Sequence, residues 1–103
     1  MKNTKTILEQ TFQTKQLIVE YQKKLSSSEN RELKKYLREA IKKYNSLEAE
    51  AIKIIESFDD PLEKRLLYLR YIEHLSWENV AEILNYSPRH VLRLHNSILK
   101  RCH

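Results

Sequence analysis

The most regular pattern of apolar positions lies between residues 30 and 58. Apolar side chains recur there at alternating spacings of four and three residues, at Leu33, Leu37, Ala40, Tyr44, Leu47, Ala51, Ile54 and Phe58. The opposite face carries the charged side chains Glu32, Lys35, Arg38, Lys42 and Lys43. This repeat is typical of a long amphipathic helix that packs against another helix as in a coiled coil. At about 1.5 Å per residue, a helix over 30–57 would be roughly 42 Å long.

A second apolar pattern, less regular than the first, precedes it. The same alternating spacing joins Ile7, Thr11, Thr14, Ile18, Tyr21 and Leu25, with Leu8, Phe12 and Leu17 widening the stripe. The polar run over 26–30 separates the two patterns, and Ser26, Ser28 or Asn30 is the candidate N-cap of the second helix. A short polar link between two amphipathic helices predicts an antiparallel helical hairpin over residues 1–58.

Three shorter helices are predicted after the hairpin, because three positions carry N-capping signals. Asp60 before Pro61 predicts a helix that runs to about residue 73, and Ser76 and Ser87 each predict a further helix start. The inward-facing positions of these helices are Leu62, Leu66, Leu69, Tyr71 or Ile72, Val80, Ala81, Leu84, Val91, Leu94 and Ile98.

The last two helices are joined by a turn of about three residues, which is the helix-turn-helix arrangement. The chain is therefore predicted to be all-α. A long helical hairpin over 1–58, suited to oligomerisation or partner docking, precedes a three-helix domain over 59–103. The composition agrees, since the sequence contains two prolines and no glycine. Without glycine, a phosphate-cradling loop and a dinucleotide-binding fingerprint are excluded.

Several other classes of protein are not expected. The single Cys102 excludes a disulfide framework and favours a reducing, cytosolic setting. We expect no signal peptide, because Glu9 directly follows the short apolar pair Ile7-Leu8, and no apolar run approaches the length of a membrane span. The four histidines lack metal-ligand spacing, and no nucleophile has a companion base. We therefore expect no enzyme activity, no metal and no cofactor.

The charge of the chain is unevenly distributed. The net charge is +5, and residues 58–82 alone carry −3. After Glu82 there is no carboxylate, and the basic side chains of that last segment are Arg89, Arg93, Lys100 and Arg101, together with His90, His95 and His103. Such a segment is the electrostatic footprint that a polyanion would seek. The alternative is a solvated helix end, where cations interact favourably with the helix dipole.

A family resemblance rests on the run from Leu69 to His95. This run resembles region four of bacterial sigma factors, and more closely the small phage and prophage transcriptional regulators typified by ArpU and RinA. Trp77 after the capping Ser76, and Tyr86-Ser87 before the last helix, are the residues that match the phage group. These families usually place glycine where His74 and Asn85 stand here. Both residue types tolerate a positive φ, so the turns are expected to form.

The resemblance implies that the last helix reads bases in double-stranded DNA. The base-reading candidates, which share one helix face, are Arg89, Arg93 and Asn96. The phosphate-binding candidates are Ser76, Trp77, Ser87, His90 and Lys100. Alternatives stay open for Trp77, which suits packing at the base of the hairpin, and for Tyr86, which suits either packing or DNA contact. Lys64, Arg65 and Arg70 are phosphate contacts or a solvated face.

The function implied is a transcriptional regulator of phage or prophage late genes in the cytoplasm of a bacterial host. We expect a homodimer through residues 1–58, because a lone helix-turn-helix offers few contacts for site discrimination and specific dimers share the work across two half-sites. RNA polymerase is a candidate second partner, and no membrane association is expected. One alternative is a DNA-packaging protein similar to a phage terminase small subunit, which would form rings. Another is a coiled-coil interaction protein that docks on RNA polymerase, in which the basic helix is incidental. Absence of affinity for any duplex at low salt would favour this last alternative.

Overall fold

The structure, a computed structural model, describes residues 3–101. Within this range the chain forms helices and no strand: α1 (Thr4–Ser27), α2 (Arg31–Glu56), α3 (Pro61–Leu67), α4 (Trp77–Leu84) and α5 (Pro88–Arg101). A π-helical turn, Tyr68–Ile72, continues α3. The longest dimension is 47 Å. The predicted all-α class is confirmed, while the part of the basic footprint assigned to His103 lies outside the described residues.

The two long helices pack against each other within one chain, so the predicted hairpin is confirmed. Of the three candidate caps, Asn30 is the residue that starts α2: its side-chain oxygen accepts a hydrogen bond from the Leu33 N–H at 3.0 Å. Ser26 still belongs to α1, where its hydroxyl donates to the Gln22 carbonyl at 3.1 Å. The link is therefore shorter than the polar run suggests.

The seam of α2 is buried along only part of its length. Leu37, Tyr44 and Ala51 are buried as predicted, but Leu33 is 40% exposed. Near the other end Ile55 is buried, whereas the predicted Ile54 is only half-buried. The reason is that the three short helices pack against the base of the hairpin, around Ala51 and Ile55. At the far end, α1 and α2 have only each other to cover their apolar side chains.

A single hydrophobic core crosses the boundary between the two predicted domains. The hairpin contributes Ile7, Leu8, Ala51 and Ile55 to it. The shorter helices contribute Leu66, Leu67, Tyr71, Ile72, Val80, Ala81, Val91 and Ile98. The boundary at residue 58 falls in the connection between α2 and α3, while the packing continues across it. The helix-turn-helix is thus held against the base of the hairpin.

The π-helical turn changes which residues of the third segment face the core. The Glu73 N–H bonds to the Tyr68 carbonyl at 3.1 Å, a spacing of five residues in place of the usual four. This inserts one extra residue into the turn, as π-turns do. Consequently Tyr71 and Ile72 are both buried, although a regular helix leaves a choice between them.

Candidate nucleic-acid interface

The turn between α4 and α5 is closed by a left-handed residue. Asn85 has φ 63° and ψ 42°. Its N–H bonds to the Glu82 carbonyl at 3.2 Å, and the Tyr86 N–H bonds to the Ala81 carbonyl at 3.0 Å. These two bonds are the Schellman arrangement that ends many helices. The turn forms with asparagine in the left-handed conformation, as predicted. The backbone angles of Asn85 set the direction in which the chain continues into α5.

A second left-handed residue precedes α4. His74 has φ 59°, and its side chain is fixed by α1. The imidazole Nε2 lies 3.1 Å from the Phe12 carbonyl, and the two rings stack at a centroid distance of 4.1 Å. The positive φ expected at this position is confirmed. The stacking adds a contact that glycine could not make, and it ties the start of the helix-turn-helix to the hairpin.

Ser76 and Ser87 cap the two helices of the motif. The Ser76 Oγ accepts from the Asn79 N–H and the Ser87 Oγ from the His90 N–H, both at 3.2 Å. Both serines are exposed. Each hydroxyl therefore satisfies one backbone donor of its helix and retains its own proton as a donor toward the outside.

The two faces of α5 differ sharply in character. Val91, His95 and Ile98 are buried against the rest of the molecule. On the opposite face, four exposed side chains lie together: Arg89, Arg93, Asn96 and Lys100. No carboxylate occurs between residues 83 and 101. The structure thus brings the three base-reading candidates onto one exposed face, with Lys100 further along the same helix.

His95 is a correction to the predicted basic footprint. It is only 8% exposed, and its Nε2 lies 2.6 Å from the Tyr71 hydroxyl. Burial lowers the pKa of His95 to about 4, and the positive charge of Arg70 acts in the same direction. The imidazole is therefore neutral at physiological pH and belongs to the inner face of α5. It is unsuited to attracting a polyanion.

Arg70 also differs from the solvated face considered for it. Its guanidinium lies between two rings, 4.1 Å from the Phe12 centroid and 4.2 Å from the Trp77 centroid. The Nη1 donates to the Leu75 carbonyl at 2.8 Å, and burial lowers the pKa of the side chain. The half-buried Arg70 is therefore packed between rings and does not belong to a solvated face. It joins α1 to the start of α4.

The remaining candidates differ in accessibility. Trp77 is half-buried, with its ring centroid 4.6 Å from that of His95, so it packs at the base of the hairpin, the alternative role considered for it. Tyr86 is exposed, and its ring lies 4.8 Å from the half-buried His90. Arg101 forms an ion pair with Glu63 of α3, so α5 is fastened at its end as well.

The sequence contained one usable signal for the inner role of His95. It lies four residues after Val91 and three before Ile98, which is the spacing of an inward stripe. No comparable signal marked Arg70, because its two ring partners are far apart in the sequence. Of the two alternatives left open for Arg70, the solvated face is wrong for this reason, and the phosphate contact stays a prediction.

Comparisons with protein-family models, curated proteins and solved structures found no match to this chain. Among residues 3–101, no group of three or more histidine, cysteine, aspartate or glutamate side chains is placed to hold a metal ion. No helix in the same range has the length and apolar composition needed to cross a membrane. The features of the molecule that bear on function are therefore α4 and α5, together with the side chains that hold them in place, His74, Arg70 and His95.

Proposed function

We propose that the protein is a sequence-specific DNA-binding transcriptional regulator whose α5 enters the major groove of double-stranded DNA. The observation that carries the proposal is the exposed face of α5, on which Arg89, Arg93, Asn96 and Lys100 lie, in a segment, 83–101, that contains no aspartate or glutamate. Regulation of phage or prophage late genes is the role implied by the resemblance to the ArpU and RinA regulators. RNA polymerase remains a proposed second partner.

The contacts that hold α5 in place favour a role in recognising bases over simple electrostatic attraction to DNA. Its inner face is buried, its first turn is capped by Ser87, and its last turn is paired to α3 through Arg101. Because its buried inner face already fixes α5 against the rest of the molecule, the helix loses little conformational freedom when it binds. Arg89 and Arg93 are one helical turn apart, so both can present their guanidinium groups to the groove floor.

Individual side chains have distinct proposed roles. Arginine binds the O6 and N7 of guanine in a bidentate manner, and asparagine suits adenine. Lys100 lies about 10 Å beyond Arg93 along the helix axis, where the groove floor has receded and a phosphate is the nearer partner. Ser76 and Ser87 offer hydroxyls and helix N-termini to the phosphate backbone.

The test begins with selection of bound duplexes from a random pool, which yields a cognate site. Arg93→Ala and Arg89→Ala should each cost about 1–3 kcal/mol on that site and relax preference at one position. Lys100→Ala should weaken cognate and scrambled duplexes alike and lower the salt slope by about one unit. Arg38→Ala, which removes an exposed arginine from α2, is the matched control and should change neither quantity.

Two results would contradict the proposal. If no duplex binds at low salt, DNA binding itself is wrong. If Arg89→Ala and Arg93→Ala weaken cognate and scrambled binding equally, α5 supplies charge only and is not the recognition helix.

Homodimerisation through residues 1–58 is the finer part of this proposal. Two copies would divide a DNA site into half-sites and so increase discrimination. Because α2 packs against α1 of the same chain, the buried part of its seam is not available to a second copy, and a dimer would use the exposed surface of the hairpin. Light scattering at micromolar concentration, with and without duplex, measures the assembly. A monomeric mass in both conditions would exclude the dimer, and a ring-sized mass would favour the DNA-packaging alternative.

A further inference from the structure

One side chain on the outer face of α5 is both exposed and apolar. Leu92 is 39% exposed, whereas the other leucine, isoleucine and valine side chains of residues 88–101 are buried or half-buried. Leu94 and Leu99 of the same helix pack against the hydrophobic core. Single exposed leucines are common on protein surfaces, so the meaning of Leu92 depends on the side chains that surround it.

Leu92 lies among the three base-reading candidates. It follows Arg89 by three residues and precedes Asn96 by four, which are the spacings of neighbours on a helix surface. At 3.6 residues per turn, Leu92 is about 60° around the helix from Arg89 and about 40° from Asn96. Arg93 is the next residue along the chain, and all three candidates are exposed. A surface that meets these polar side chains therefore also covers Leu92.

The charge beside Leu92 favours DNA as the surface that covers it. The ion pairs among residues 3–101 involve neither Arg89 nor Arg93, and the sequence has no aspartate or glutamate after Glu82. A second copy of α5 would bring further guanidinium groups to the same place, where like charges repel each other. The phosphates on both sides of a major groove are the opposite charge that these arginines lack.

The chemistry of the groove floor gives an exposed leucine one suitable target. Among the groups that base pairs expose in the major groove, the C5-methyl of thymine is the apolar one. The others are hydrogen-bond donors and acceptors, and a leucine that covered them would leave them without a partner. Contact between Leu92 and a methyl group instead removes apolar surface of both groups from water.

We propose that Leu92 is a specificity-determining residue that contacts the C5-methyl group of a thymine in the cognate DNA site. The proposal rests on DNA binding by α5, and it adds a base that the arginines and the asparagine of this face do not read. Along the helix axis, Leu92 is about 4.5 Å from Arg89 and about 6 Å from Asn96, and base pairs are about 3.4 Å apart. The thymine should therefore lie within about two base pairs of the positions where Arg89→Ala and Asn96→Ala relax base preference.

The experiment removes the methyl group and the leucine side chain separately. Deoxyuridine replaces each thymine of the selected cognate duplex, one at a time, and this base keeps the pairing with adenine but lacks the C5-methyl. At one thymine the replacement should weaken binding of the wild type about fourfold, the value of burying one methyl-sized group. Fluorescence anisotropy of the labelled duplex measures the affinity.

Leu92→Ala should abolish the difference between the thymine and deoxyuridine duplexes, because the methyl group then has no apolar partner. A repeated selection with Leu92→Ala should relax the preference for thymine at that position and keep the preferences read by Arg89 and Arg93. Leu33→Ala is the matched control, since Leu33 is a leucine of α2 that is 40% exposed. It should keep the fourfold difference. Both variants should retain the helical circular dichroism of the wild type.

Failure of this proposal is distinguishable from failure of DNA binding. If no duplex is selected at all, the proposed function is wrong, and the role of Leu92 is wrong with it. The next three results overturn the role of Leu92 and leave DNA binding intact. No deoxyuridine replacement weakens binding of the wild type. A replacement weakens Leu92→Ala as much as the wild type, so that another side chain or the shape of the groove reads the thymine. Leu92→Ala weakens cognate and scrambled duplexes equally and light scattering shows that a dimer is lost, which would place Leu92 between two copies.

Discussion

The base of the molecule and the far end of the hairpin use similar sequence patterns and reach different degrees of burial. At the base, α1 and α2 meet three shorter helices, and Leu8, Leu66 and Ile98 are fully buried. At the far end the same two helices stand alone, and Leu33 remains 40% exposed. The difference shows that an apolar seam identifies a helix face, while the number of elements that converge on the face decides whether it becomes core.

Polar side chains also differ between the base of the molecule and the far end of the hairpin. At the base, Arg70, Tyr71 and His95 are enclosed and partnered, and within the described residues no buried side-chain polar atom lacks a hydrogen-bond partner. Around the far end, basic side chains are mostly exposed. The base thus holds α5 against the hairpin, while the far end leaves charged and apolar side chains exposed.

The largest expected effect is the loss of a fully buried side chain at the base. Leu66→Ala should lower the free energy of unfolding by about 2–5 kcal/mol, because it leaves a cavity where five helices converge. Denaturant melts followed by circular dichroism measure the change. A loss below about 1 kcal/mol would mean that the base is not packed as described.

A smaller loss is expected at the junction between α1 and α4. Arg70→Ala removes two ring contacts and the hydrogen bond to the Leu75 carbonyl, and should cost about 2–3 kcal/mol in unfolding free energy. Arg65→Ala, at an exposed position of α3, is the control and should stay within about 0.5 kcal/mol. Equal effects of the two variants would show that Arg70 is a surface cation after all.

The pH dependence of stability should depend on His95. The fold holds its pKa near 4, below the ordinary 6.5, so the unfolded chain binds a proton first as the pH falls. The stability contributed by neutral His95 is therefore complete above about pH 6.5 and is lost progressively toward pH 4. In melts between pH 7 and 5, His95→Gln should lose less stability than the wild type. Identical pH profiles for wild type and His95→Gln would contradict the burial of this imidazole.

The smallest effect is expected at the far end. Leu33→Ala should change the unfolding free energy by about 0.5 kcal/mol, because the side chain is already largely in water. Amide hydrogen exchange should agree, with lower opening free energies over residues 20–40 than over 61–98. A cost for Leu33→Ala as large as that for Leu66→Ala would remove the distinction between the two regions.

Local features of the fold were predictable from the sequence because they depend on neighbours along the chain. The caps at Asp60, Ser76 and Ser87 fix where three helices begin, since a side-chain oxygen bonds to an N–H two or three residues away. The positive φ of His74 and Asn85 was expected from the resemblance, because the families place glycine at these positions and both residue types tolerate this conformation. The separation of α5 into an apolar face and a basic face was likewise visible in its 3.6-residue period.

The sequence by itself thus determined the all-α fold class, the first residues of most helices and the residues of the exposed basic face of α5. Only the tertiary structure decided that His95 is neutral and buried, that Arg70 lies between Phe12 and Trp77, and that Tyr71 and Ile72 both reach the core. It also decided which part of the hairpin seam is covered. The physical reason is distance along the chain. These outcomes depend on side chains that are far apart in the sequence and pack against each other in the fold. The spacing of residues within one helix does not specify which other helices will pack against it.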